Sequence, residues 1–99
     1  MTDEQIAELI NRRRRQILVH SVIYYKFDDN LISDYTWSQW ATELYELQQK
    51  YPDIAKNCVY ADEYKDFDPS TGFNLPLEDP WAVRKAAHLL DMRDRRNSN

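Results

Sequence analysis

The 99-residue chain contains one glycine and one cysteine. Folds that depend on φ > 0 turns, tight hairpins or a phosphate-cradling loop use several glycines, so this scarcity argues against sandwiches, Rossmann units and P-loops. Cys58 has no second cysteine with which to close an internal disulfide, which suits a reducing cytosol. No run approaches the ~18 to 20 apolar residues of a membrane span. The first residues are polar and acidic, unlike a secretory leader. The chain therefore reads as soluble and cytoplasmic, with no membrane contact. Internal repeats and low-complexity linkers are also absent, and at ~100 to 200 residues per domain the length suits a single domain over 1–99.

What is present is aromatic and charged. Seven Tyr, three Trp and three Phe supply much of the core material of so short a chain. Richness in Arg, Glu, Gln and Leu points to helix. The net charge of -4 divides unevenly: residues 1–30 carry five acids and five bases, 31–79 ten acids and three bases, and 80–99 two acids and five bases, giving 0, -7 and +3. An acidic middle repels a phosphate backbone, so DNA contact would have to rest on Arg12–Arg15 and the C-terminal arginines.

The pattern predicts an all-α fold built on an antiparallel helix hairpin, about 3–26 and 34–51. Thr2 followed by Asp3, Glu4 and Gln5 is an N-cap with a capping box and acids in the first turn. At 100° per residue, Ile6, Leu9, Ile10, Arg13, Ile17, His20 and Tyr24 fall in one sector about 100° wide and should face a core. Arg13 within that stripe calls for a snorkelling head, with a buried carboxylate pair as the alternative. Asp28-Asp29-Asn30 is a turn cluster, and Ser33 or Asp34 caps a second helix with a stripe of Trp37, Trp40, Ala41, Leu44, Leu47 and Tyr51. Pro52 ends it near Tyr51. Residues 56–78, acidic and aromatic, read as a long ordered loop with one helical turn at most, its clearest bend at Asp68-Pro69-Ser70-Thr71-Gly72. Asp79-Pro80 opens a C-terminal helix, about 80–95, with Trp81, Val83, Ala86, Ala87 and Leu90 inward, Arg93, Arg95 and Arg96 at its end, and a frayed Asn97-Ser98-Asn99.

Chemistry-bearing patterns are few. Four consecutive arginines on a helix spread over about 300°, so Arg12 and Arg15, with help from Arg14, point away from the core stripe and form at most a weak nucleic-acid surface. Glu8 and Arg12 suit an i,i+4 pair on a solvated face. His20-Ser21 diverge on a helix and lack an orienting third group, so no catalytic residue is assigned. His20, His88 and Cys58 lack metal-ligand spacing, and neither a metal nor a cofactor is expected. Tyr24 and Tyr25 end one helix opposite Asp34 at the start of the next. With Trp37 they form a mouth able to stack a ring and to accept hydrogen bonds from an amide or sugar hydroxyls. A hydrophobic staple and cap at a hairpin would use the same residues.

The stretch from Ile23-Tyr24-Tyr25 through Leu31-Ile32-Ser33-Asp34-Tyr35-Thr36-Trp37, then Glu43-Leu44-Tyr45-Glu46-Leu47 and Lys50-Tyr51-Pro52-Asp53, resembles the N-terminal helical domain Ia of NAD-dependent bacterial DNA ligases over about residues 5–55. The whole chain further resembles small stand-alone phage and prophage proteins related to that ligase, through Gln16-Ile17-Leu18-Val19-His20-Ser21, Gly72-Phe73-Asn74-Leu75-Pro76 and Asp79-Pro80-Trp81. In the ligases, domain Ia closes over the nicotinamide mononucleotide half of NAD. The resemblance implies that Tyr24 stacks on nicotinamide, that Tyr25 takes a place often held by His, and that Asp34 binds the amide or ribose. Trp37 stands at the family's second aromatic, and Ser38 replaces the neighbouring Asp. Lys26-Phe27-Asp28-Asp29 lacks the glycine of the Lys-x-Asp-Gly adenylation motif, so no ligase activity is expected of the chain alone.

Three functions follow as expectations. The leading one is a non-enzymatic helical module that binds another protein, host or phage, in DNA replication, repair or host defence, with a homodimer through the Trp-rich stripe as a variant. The second is binding of nicotinamide mononucleotide, NAD or a related nucleotide. The third is weak DNA binding through Arg12–Arg15.

Overall fold

The long first helix is the axis around which the other elements are laid. In the computed structural model, which describes residues 1–97, α1 runs Asp3–Lys26, α2 Asp34–Lys50, α3 Pro52–Ala55, α4 Ala61–Tyr64 and α5 Pro80–Asn97, and no strand occurs among the described residues. The fold is all-helical, as the pattern predicts. Thr2 begins α1 with a closed capping box: its hydroxyl accepts from Gln5 N at 3.1 Å while its own N–H donates to Gln5 Oε1 at 2.9 Å. Ser33 caps α2 in the same way, accepting from Thr36 N. Between them Asp28 takes a left-handed φ of 52°, which tightens the turn of the hairpin.

A single 100° stripe is too narrow a description of α1. The helix packs against α2, α5 and α3, and its middle is buried around much of its circumference at Ile17, Leu18, Val19, Ser21, Val22 and Ile23. A helix with several neighbours buries residues outside any one sector. Tyr24, assigned to that stripe, lies beyond this covered zone and is 53% exposed. Arg13 pairs with a carboxylate, as the alternative had it, but at a half-buried and not a buried site: Nε donates to Glu43 Oε1 at 2.6 Å, and the guanidinium sits 5.4 Å from the Trp40 ring centroid.

Arg14 requires a correction. It does not join Arg12 and Arg15 on the surface but is 2% exposed. Its Nε donates to Gln48 Oε1 at 2.9 Å, and Nη1 donates to the carbonyls of Ala55 at 3.0 Å and Val59 at 2.9 Å. The guanidinium lies 5.5 Å from the Tyr64 ring centroid, and the Tyr64 hydroxyl donates back to the Arg14 carbonyl at 2.7 Å. Burial lowers the pKa of the guanidinium, yet every acceptor in this set is neutral. One of four adjacent arginines must turn inward when the helix is covered on several sides, and the planar fork donates to the Val59 carbonyl and joins the Cys58 N–H on the Ala55 carbonyl. Asn11 adds a further tie by accepting from Val59 N at 2.9 Å.

The 56–78 segment is thus firmly held. It carries α4, one turn as expected, and inserts Tyr64, Phe67 and Leu75 into the core. At its end Asp79 Oδ2 accepts from Ala82 N and from the Tyr60 hydroxyl, both at 3.0 Å, capping α5 and closing the loop onto itself. The inner face of α5 differs from expectation. Ala82 and Ala86 are buried, whereas Trp81 and Ala87 are exposed. Two alanines one turn apart let α5 approach α1 closely, and Val83, Leu89 and Leu90 pack at the flanks. Arg93 joins α5 to the hairpin turn through paired bonds to Asp29 at 2.9 and 2.8 Å. Of the expected frayed tail, Asn97 is the last helical residue, and Ser98 and Asn99 lie outside the described residues. No helix among the described residues is long and apolar enough to cross a membrane.

Two outcomes test this frame. Arg14→Ala leaves the Val59 carbonyl without the Arg14 donor and the Ala55 carbonyl with the Cys58 N–H alone, and should cost about 3 kcal/mol in chemical denaturation. Arg14→Lys, which keeps charge but not the fork, should recover less than half. The paired bonds from Arg93, with the Asn30 N–H second, hold Asp29 at about 2 against an ordinary 3.8. A carboxyl depressed in the folded state stabilises fully above its unfolded value, so this contribution is lost as pH falls from about 4 towards 2. NMR titration of the Asp29 carboxyl should give a midpoint near 2, and Arg93→Ala should return it towards 3.8.

Candidate functional site

The turn end of the α1–α2 hairpin forms a cavity of about 270 Å³. The last turns of α1 supply one wall, the Asn30–Ser33 turn and first turn of α2 a second, and Ser70-Thr71-Gly72 a third. Tyr24, Tyr25, Asp34 and Trp37, the ligand-binding residues predicted from sequence, all line it. The tyrosine rings stand nearly perpendicular, 84° apart with centroids 4.9 Å apart, making an aromatic corner. Tyr25 is steadied by its hydroxyl at 3.2 Å from Thr71 Oγ1 and by an edge contact with Phe73. Trp37 is oriented by donating from Nε1 to Ser21 Oγ at 3.2 Å. Asp34, the first residue of α2, is exposed and benefits from the helix dipole.

Two contributors were not foreseen as site residues. Gly72 is buried, and a Cβ there would sit 2.3 Å from Ser21 Oγ and 2.8 Å from Ser21 Cβ. The sole glycine of the chain is needed for close approach, not for its φ, which is not positive. It seats the loop on the hairpin and so creates the third wall. His20 lines the same cavity, 5.7 Å from Trp40 between ring centroids, with Nδ1 enclosed and without a hydrogen-bond partner. Burial lowers its pKa, favouring the neutral imidazole. The scarcity of glycine and the Asp68–Gly72 bend mark position 72 in the sequence, but not its contact with Ser21. Nothing local marks His20 as different from a core histidine.

The arginine group does not assemble. Arg14 is buried, Arg12 pairs with Glu8 at 3.1 Å, and Arg15 is exposed; none of the three lines the cavity. Among the described residues no cluster of three or more His, Cys, Asp or Glu side chains could hold a metal. A second, shallower groove lies across the Asn30–Ser33 turn, where Leu89, Met92, Arg93 and Arg96 of α5 meet it.

Two curated relatives share sequence with the chain. Over 69 residues the chain is 35% identical to the DNA ligases of Thermoanaerobacter sp. and Thermoanaerobacter pseudethanolicus, a match covering 65% of the chain and 10% of each ligase. It spans about a tenth of the length of these relatives. This likeness supports a DNA-ligase-related domain. No family model matches the chain, and no solved structure matches it.

Gly72→Ala places a methyl against Ser21 and Trp37 and should lower stability by about 1 to 3 kcal/mol. The double variant Gly72→Ala with Ser21→Ala removes the nearest atom and should recover part of that loss in thermal unfolding.

Proposed function

We propose that this chain is a non-enzymatic binding module serving DNA replication or repair, and that its hairpin cleft takes the nicotinamide ring and ribose of nicotinamide mononucleotide, NAD or a close analogue. The observation that carries the reading is the convergence of Tyr24, Tyr25, Asp34 and Trp37 on one cavity, also lined by Ser33, Ser38, Ser70 and Thr71. Aromatic faces with a few convergent polar groups suit a planar ring bearing an amide or sugar hydroxyls. The resemblance of the hairpin to domain Ia of NAD-dependent DNA ligases implies that class of ligand. Binding without group transfer is favoured because no lysine lines the cleft, and neighbouring Lys26 is held by Glu78 at 2.9 and 2.8 Å.

A second reading, an aromatic docking surface for another protein, draws on Tyr35 and Phe73, which are 71% and 66% exposed. The Trp-rich face of α2 is less available to it. Trp37 and Trp40 pack half-buried on the core of the same chain, which leaves less of that stripe for a homodimer. DNA binding loses support with the burial of Arg14.

Calorimetric titration with nicotinamide mononucleotide and NAD should show one site with half-saturation below about 1 mM, roughly −4 kcal/mol. Tyr24→Ala should weaken it about tenfold, and Asp34→Ala should do likewise. No heat at millimolar ligand would dismiss the nucleotide reading in favour of the protein-docking one.

A further inference from the structure

The second groove lies where the C-terminal half of α5 passes the Asn30–Ser33 turn. Leu31 and Ile32 line it from the turn and Leu89 and Met92 from α5, none of them fully buried and Met92 44% exposed. At 100° per residue, Lys85, Leu89, Met92 and Arg96 fall in one sector of α5 about 60° wide. Two apolar side chains thus stand between two cations. Lys85 and Arg96 are exposed, and neither makes an ion pair or a hydrogen bond among the described residues. Nearby carboxylates are already engaged, Asp29 and Asp94 by Arg93 and Asp91 by Arg95, and none lines the groove. An apolar channel flanked by unpaired cations is complemented by apolar anchors flanked by acids.

We infer that this groove docks an acidic amphipathic helix of another protein, its apolar side chains laid along Leu31, Ile32, Leu89 and Met92 and its Asp or Glu side chains set against Lys85 and Arg96. The surface shares only the Asn30–Ser33 turn with the hairpin cleft and stands independently of the nicotinamide reading. It is also distinct from the exposed Tyr35 and Phe73. A second copy of the chain fits the groove poorly, because its acidic segment 61–68 turns Tyr64 and Phe67 into its own core and leaves no apolar anchor beside its acids. A nucleic acid fits no better. Its backbone needs donors where the groove presents Leu89 and Met92.

The test is selection of a random dodecapeptide library on the immobilised full chain, followed by fluorescence anisotropy of the enriched peptides. Enriched sequences should carry net negative charge and apolar residues three or four positions apart, and added salt should weaken their binding. Arg96→Glu and Met92→Asp should each weaken binding about tenfold, with helix content and melting temperature unchanged. Lys85→Glu, a surface charge reversal at the far end of the stripe, should weaken it severalfold, and Phe73→Ala should leave it as it is. No enrichment, a basic or uncharged consensus, or binding lost in Phe73→Ala but kept in the α5 variants overturns the inference. A dimer in light scattering that Met92→Asp dissolves overturns it by placing a second copy in the groove. A salt-sensitive complex with duplex DNA that is lost in Arg96→Glu overturns it in favour of a nucleic-acid surface. The calorimetric test of the cleft is unaffected by any of these results.

Discussion

The buried guanidinium of Arg14 is the constraint on which the remaining architecture depends. A cation removed from water must find acceptors, and here they come from three separate parts of the chain: Gln48 of α2, and the carbonyls of Ala55 and Val59 after it. Gln48 extends the set by donating to the Tyr64 carbonyl at 3.1 Å, and Tyr64 returns a bond to the Arg14 backbone. One side chain thereby ties α1, α2 and the segment carrying α3 and α4. Without that knot, the 23-residue segment 56–78 would be held chiefly by the burial of Tyr64, Phe67 and Leu75. With it, the loop enters its second half from a fixed point and is fixed again where Tyr60 meets Asp79.

The cleft is a product of this anchoring. The hairpin alone would offer two tyrosines, a tryptophan and a carboxylate on an open surface. The anchored loop brings Gly72 against Ser21 and sets Thr71 beside Tyr25, which turns an open surface into a three-walled cavity. The same arrangement leaves Asp34 as the charge in an aromatic setting. Stability and the shape of the cavity therefore originate in different residues but are coupled through the position of residues 70–72.

Much of this was legible in the sequence, for identifiable reasons. Local signals predicted the helices well: Thr2 with Gln5, Ser33 with Thr36, Pro52, and Asp79-Pro80 all act within one turn of chain. The mouth residues Tyr24, Tyr25, Asp34 and Trp37 were also legible, because a short hairpin turn brings the ends of adjacent helices together. Non-local packing was not. Arg14 resembles its three arginine neighbours in every local respect, and its inward turn depends on carbonyls more than 40 residues away. Trp81 carried the hydrophobic weight expected of an inner face, yet the close approach of α5 to α1 favours the smaller Ala82 and Ala86.

The central claim is that ring recognition occurs between the hairpin mouth and the loop that Arg14 anchors. Its most direct test is an amide chemical-shift map of the isotope-labelled chain titrated with nicotinamide riboside. The account predicts saturable shifts confined to residues 20–25, 30–38 and 70–73, with Gly72 among the largest. Shifts concentrated on residues 84–97 of α5, or on the hairpin without residues 70–72, would contradict it.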